Sequence, residues 1–389
     1  MPIVNRAAGL KEEITAWRRD FHANPEILYE VQRTAGIVEE KLRAFGCDEV
    51  VPGIGRTGVV AVIKGRSNAS SKVIGLRADM DALPMTESTD LSYASTVKGR
   101  AHACGHDGHT AMLLGAAKYL AETRNFDGTA VIIFQPAEEG GAGGLAMIED
   151  GLMDRFGIQE VYGMHNMPGL PVGHFTLRPG PLLAAADTFA IDIEGYGAHA
   201  SRPHASVDPV AVGCQVHAAL QTIVARNIDP LKHAVVSVTM FHAGEATNVI
   251  PQTAKIQGTV RTLDSKVREF IEKRMNEICL GVGSAHNAKV VLAYKRGYPV
   301  TENHERQAAF AASVARDVSG EAAVDFDMTP VMGAEDFSYM LEARPGAFIF
   351  MGNGATAGLH HPAYDFNDEA IPAGVSYWAR LVETAMPAA

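Results

Sequence analysis

The chain is poor in the features that mark secreted, membrane and nucleic-acid-binding proteins. Its 389 residues hold four cysteines, Cys47, Cys104, Cys214 and Cys279, scattered without the spacing of a disulfide framework. No apolar run approaches the ~18 residues that a membrane-spanning helix needs. The opening stretch, MPIVNRAAGLKEEITAWRRD, lacks the apolar core of a signal peptide and turns charged by Lys11. Lysine and arginine number 34 against 45 acidic residues, and no basic run offsets the net charge of −11, which argues against nucleic acid or an anionic membrane as partner. Internal repeats, low-complexity segments and the phosphate-binding patterns GxxxxGK[ST] and GxGxxG are missing, so the glycines of PGIGRTG read as a turn. A reducing cytoplasm is the expected location.

What is present is length for two or three domains and a composition, 47% hydrophobic and 20% charged, suited to a large soluble core. The densest chemistry lies at residues 102–109, where His102, Cys104, His106, Asp107 and His109 alternate with Gly105 and Gly108. Thiolate, imidazole and carboxylate are ligands of a borderline divalent ion such as zinc. The glycines predict a tight loop, and the apolar stretch TAMLLGAAKYLAE predicts a helix directly after it. The cluster then sits at a helix N-terminus, where the dipole is expected to lower the Cys104 pKa. Cys104 as a nucleophile with His106 as its base is the weaker reading. Residues two apart at a helix start do not face each other, and nothing nearby orients the base.

The order of elements carries the next step. Helices are expected at 7–23 and about 30–45, strands near 48–51 and 58–64, and buried strands at 72–77, 128–134 and 159–164. The last three alternate with helices, so the fold is expected to be α/β with a mostly parallel sheet. Each runs out into chemistry: Asp79 and Asp81, then Glu138 and Glu139, then His165. Sites in such sheets assemble at the carboxyl edge of the strands. A further buried strand at 347–354 leads to His360 and His361, and helices are expected near 305–318 and 370–385. Residues 184–296 instead show the order β-α-β-β-α-β of a ferredoxin-like unit. They are expected to form an inserted α+β domain, with 1–183 and 297–389 as the catalytic domain.

A metal-assisted hydrolase needs ligands, an open coordination position and a base for water. Glu138 and Glu139 can divide that labour, since neighbours on an extended backbone point different ways. Two ions would need a bridging ligand, and the Cys104 thiolate can serve. Asp81 suits the task of orienting a ligand histidine through its free ring nitrogen.

Taken together, RADMDALP, HACGHDGHT, FQPAEEGGAG, MHNMP, HASRPH, MGAEDFSYM and LHHPAYDFNDE resemble the metal-dependent aminoacylase/carboxypeptidase family. The branch is that of hippurate hydrolases, N-acyl-amino-acid amidohydrolases and plant auxin-conjugate hydrolases. The resemblance covers nearly the whole chain. It implies hydrolysis of the amide of a small N-acyl-amino acid at a site of two divalent ions, zinc or manganese foremost and nickel or cobalt as further options. The implied ligands are Cys104, His106, Glu139, His165 and His360, with His361 ranked below its neighbour. Glu138 is implied as general base, His199 as oxyanion donor reaching the partner subunit's site, and Asn248 and Arg261 as contacts to the substrate carboxylate. The inserted domain is implied as lid and dimerisation surface, giving a homodimer or homotetramer. In much of the wider family a histidine stands where Asp79 stands here, and an aspartate bridges the metals where Cys104 is expected to. Rival expectations are a dipeptidase or carboxypeptidase of the same build, a catalytically silent metal-binding homologue, and a cysteine-nucleophile amidase.

Overall fold

Strands covered on both faces need near-continuous apolar runs. Those runs become Val73–Asp79, Thr129–Gln135, Glu160–Pro168 and Gly346–Gly354 in the computed structural model, which describes residues 5–388. The four lie parallel at the centre of an eight-stranded sheet. Register sets Asp79 beside Gln135 and Phe350 beside His165. Gly58–Lys64 joins one side antiparallel, followed by Glu49–Ile54, and the short Phe175–Thr176 and Val324–Asp325 close the other side.

The helix His106–Thr123 is buried on nearly every face, with Ala111, Met112, Leu113, Leu114, Ala116 and Leu120 in the same core as the sheet. An all-round apolar helix belongs inside rather than on the surface. Lys11–Ala23 and Ile371–Ala385 contribute Ile14, Phe21, Val375 and Trp378 to that core. The helix expected over 7–23 is two, Asn5–Gly9 and Lys11–Ala23. Gly9 is a poor helix former, and the chain turns at Leu10.

The chain divides into two compact units, Met1–Gly180 with Glu302–Thr329 and Asp336–Ala389, and Pro181–Thr301 with Pro330–Glu335. The second holds a four-stranded antiparallel sheet in the order Ala234–Ala243, Thr253–Thr262, Ala185–Glu194, Lys289–Arg296. Its helices Pro209–Thr222 and Ser265–His286 are capped by Asp208 and Asp264, whose carboxylates accept main-chain N–H groups of the first turn. This unit takes in more than 184–296, because 330–335 pairs back along it: Ala184 N–H donates to the Gly333 carbonyl at 2.8 Å and Val331 N–H to that of Leu182 at 3.0 Å. Among the described residues no helix is long and apolar enough to cross a membrane.

Two details tie this scaffold to the loop of residues 102–109. Gly105 caps the helix His106–Thr123 in the left-handed region at φ +89°, and a Cβ there would collide with the Asn166 amide and the Tyr364 hydroxyl. Arg18 is fully buried, with Nε 2.8 Å from Asp107 Oδ2 and a further pairing to Asp365. His22 shares Asp107, with Nδ1 2.8 Å from Oδ2, and sets Nε2 3.2 Å from Glu87 Oε1. Burial works against a charge on His22, but hydrogen bonds to Asp107 and Glu87 outweigh it and raise its pKa from 6.5 to about 9.

Gly105→Ala is expected to lower stability by on the order of 2–4 kcal/mol through strain and collision, read as a fall in Tm; an unchanged Tm contradicts it. A group whose pKa is raised on folding stabilises below its unfolded value and loses that contribution as pH climbs through its folded value. Tm should therefore fall between about pH 6.5 and 9. His22→Gln is expected to be less stable at neutral pH and to show a shallower fall across that window, and an equal slope in both proteins contradicts the assignment.

Candidate metal centre

Parallel strands end on the same edge, so their C-terminal residues are delivered to one place. Val73–Asp79 leads to Asp81, Thr129–Gln135 leads through Pro136 and Ala137 to Glu138 and Glu139, and His165 lies within Glu160–Pro168. Cys104 directly precedes the Gly105 cap, and His106 opens the helix behind it. His360 arrives on the loop after Gly346–Gly354, its N–H donating to the Ala103 carbonyl at 2.7 Å. Ala137 and His360 are non-glycine residues in the left-handed region, at φ 55° and 62°. Such conformations cost energy and persist where surrounding contacts impose them.

The ligand atoms of Cys104, His106 and His165 all lie within 4.8 Å of one another, as do those of Cys104, Glu139 and His360, and those of His106, Glu138 and Glu139. Cys104 Sγ stands 3.4 Å from His165 Nε2, and His360 Nε2 stands 3.2 Å from Glu139 Oε1. Tautomers follow from the carbonyls facing the rings, since a carbonyl only accepts. His106 Nδ1 donates to the Asp81 main-chain oxygen and His165 Nδ1 to that of Asn166, each at 2.7 Å. Both rings then turn Nε2 toward the centre, where loss of its proton would free a lone pair for a metal. His106 Nε2 is buried with no hydrogen-bond partner. That orphan nitrogen beside a thiol, two further imidazoles and carboxylates fits a borderline divalent cation.

Burial pushes the Cys104 thiol up, against the pull of His106, and this corrects the expectation of a depressed thiol. Cys104 lies outside the helix and is buried, so desolvation outweighs the dipole. The expectation that Cys104 and His106 point apart is also corrected, because the left-handed Gly105 folds them onto one centre. Burial would lower His106, but Asp79 and Cys104 raise it well above the usual range. His360 is raised to about 10 by hydrogen bonds to Cys104 and Glu139. Burial and the neighbouring His109 push His165 down. Protons on His106 and His360 thus occupy a cation-seeking pocket, and a metal must compete with them.

Asp81 acts differently from expectation. Its Oδ1 lies 3.7 Å from His106 Nδ1, while its two oxygens accept the Glu138 and Glu139 N–H groups at 2.9 and 3.2 Å. The main-chain oxygen orients the histidine, and the carboxylate holds the glutamate turn. That turn replaces the extended backbone expected there, so both glutamates aim at the His106 side of the centre.

His199, Asn248 and Arg261 belong to the second unit. His199 pairs opposite Val249, and Ala200 N–H donates to the Asn248 carbonyl at 3.0 Å, so the two are neighbours. His199 Nδ1 accepts the Ser201 N–H at 3.1 Å, which leaves Nε2 as its donor. Arg261 Nη1 donates to the Val260 carbonyl at 3.1 Å and to Thr259 Oγ1. His361 is exposed, with Nδ1 accepting the Ala363 N–H at 3.1 Å. Sequence reasoning missed Arg77, Asn166 and Tyr364, which lie behind the candidate ligands; only Asn166, next to His165, carried a positional signal.

Comparison with known proteins agrees with this architecture. Residues 75–384 match the model of peptidase family M20/M25/M40. The chain is 42% identical over 381 residues to a hippurate hydrolase of Campylobacter jejuni, covering 98% of each protein. It is 42% identical over 364 residues to an N-acetyl-L-cysteine deacetylase of Bacillus subtilis, covering 93% of this chain and 85% of that one. A solved dinuclear metal-binding peptidase of the M20 family from Bacillus subtilis superposes with a TM-score of 0.85 at 34% identity, covering 97% of this chain and 98% of that one. The chain belongs to peptidase family M20/M25/M40 and is an amide-bond hydrolase.

Proposed function

We propose that the chain hydrolyses the amide bond of small N-acyl-amino acids, releasing a carboxylic acid and a free amino acid. The observation that carries this is the convergence of Cys104, His106, Glu139, His165 and His360, with Glu138 alongside, at one sheet edge. The hippurate hydrolase and N-acetyl-L-cysteine deacetylase relatives both carry names that describe such amides.

In this reading the five residues hold two divalent ions. Cys104 would be the shared ligand, because its thiol alone is common to the group with His106 and His165 and the group with Glu139 and His360, and a thiolate can bridge. Thiolate ligation favours zinc, the carboxylate admits manganese, and nickel or cobalt also suit the donors. When bound, such ions polarise a carbonyl and lower the pKa of water. Glu138, buried and held by Asp81 through its N–H, takes the water's proton and returns it to the leaving amine. His199 supplies the oxyanion donor through Nε2, and Asn248 and Arg261 receive the substrate carboxylate, Arg261 with a fork suited to it. These three roles rest on the family resemblance. We place the protein in the cytoplasm as a homodimer or homotetramer formed through the second unit. Its four free cysteines suit that reducing compartment.

Glu138→Gln is expected to keep fold and metal content while lowering kcat on N-benzoylglycine by roughly 10²–10⁴-fold or more. Turnover close to wild type removes Glu138 from the role. Chelation is expected to stop turnover and added zinc or manganese to restore it. Activity that survives chelation but is lost on thiol alkylation contradicts the metal reading in favour of a cysteine nucleophile.

A further inference from the structure

His109 is the third histidine of HACGHDGH, is almost fully buried, and shares with Asp79 and His106 a cluster of potential ligand atoms within 4.8 Å. Its hydrogen bonds give it another task. The Asn166 main-chain N–H points at His109 Nε2 at 3.0 Å. A main-chain N–H only donates, so Nε2 accepts and the proton lies on Nδ1, 2.6 Å from Asp79 Oδ1. Asp79 Oδ2 in turn takes the Arg77 Nη1 proton at 2.8 Å. Arg77 is itself fully buried, with Nε donating to Gln135 Oε1 at 2.8 Å and Nη2 to Asp336 Oδ1 at 3.0 Å. Both nitrogens of His109 are therefore spent, and each Asp79 oxygen has a charged or ring N–H donor.

The far end of this chain of bonds touches the ligands. Asn166 Nδ2 donates to the Cys104 carbonyl at 2.6 Å, and Asn166 Oδ1 accepts the Tyr364 hydroxyl at 2.7 Å. The Asn166 carbonyl accepts His165 Nδ1 at 2.7 Å, which turns His165 Nε2 toward the Cys104 sulfur. We infer that Arg77, Asp79 and His109 are a buried positioning chain rather than further ligands, fixing Asn166 and through it the aim of Cys104 and His165 at the metal centre. This rests on the two-metal reading proposed above.

The test uses the full-length protein loaded with cobalt(II), read by metal stoichiometry, thiolate-to-cobalt absorption, and affinity by competition with a chromophoric chelator. Wild type binding two equivalents with the thiolate band upholds the parent reading; failure of either sinks that reading first. With it upheld, His109→Leu is expected to retain two equivalents and the thiolate band, but to weaken metal binding by roughly 10–100-fold. His109→Gln, which offers both a donor and an acceptor, is expected to recover most of that loss. A drop to one equivalent in His109→Leu would make His109 a ligand and overturn the inference. Wild-type affinity in that variant would overturn it equally. Should His109→Leu not fold, imidazole ¹⁵N shifts of the zinc-loaded wild type decide: an Nδ1–H tautomer with metal-free Nε2 supports the chain, and a metal-shifted Nε2 refutes it.

Discussion

A carboxylate, a thiol and several imidazoles can be buried together only if something compensates their charge and their unmet hydrogen bonds. That constraint governs the edge of the sheet where Val73–Asp79, Thr129–Gln135, Glu160–Pro168 and Gly346–Gly354 end. Asp79 is fully buried against Arg77 and His109, Asp107 against Arg18 and His22, and Asp81 against two main-chain N–H groups. What remains is aimed at one centre: His106 Nε2 has no hydrogen-bond partner, Asp79 and Cys104 raise the His106 pKa, and Cys104 and Glu139 raise that of His360. A divalent cation is the simplest group that satisfies them together.

The same buried pairs explain how the site keeps its shape. Arg18 on the helix Lys11–Ala23 reaches Asp107 beside His106 and Asp365 on the loop that carries His360. Removing one partner of such a pair strands a buried charge, so these residues are costly to change although they touch no reacting atom. Gly105 contributes by absence of a side chain. It lets Cys104 and His106 fold onto one point, and it leaves room for Asn166 and Tyr364 to press against the loop.

Much of this was legible in the sequence, and for a definite reason. The parallel core declared itself through continuous apolar runs ending in Asp79, Glu138 and His165, because a strand's last residues lie at the site whatever the loops do. The second unit showed as strands that alternate in and out, such as Ala185–Glu194. Distances between remote segments were not legible. Nothing local shows that the Asp81 main-chain oxygen, rather than its carboxylate, takes the short hydrogen bond from His106, or that Asn166 links Cys104 to His109. The Cys104 thiol was misjudged because helix position is visible in sequence and burial is not. The break at Leu10 and the left-handed Ala137 likewise depend on packing, which a residue-by-residue propensity does not contain.

If Cys104 joins two ligand groups around a pair of cations, anomalous diffraction from crystals grown with zinc should show two peaks ~3.5–4 Å apart, both in contact with the Cys104 sulfur, with His106, His165, Glu139 and His360 completing their shells. A single peak, or a pair that leaves Cys104 uncoordinated, would contradict it.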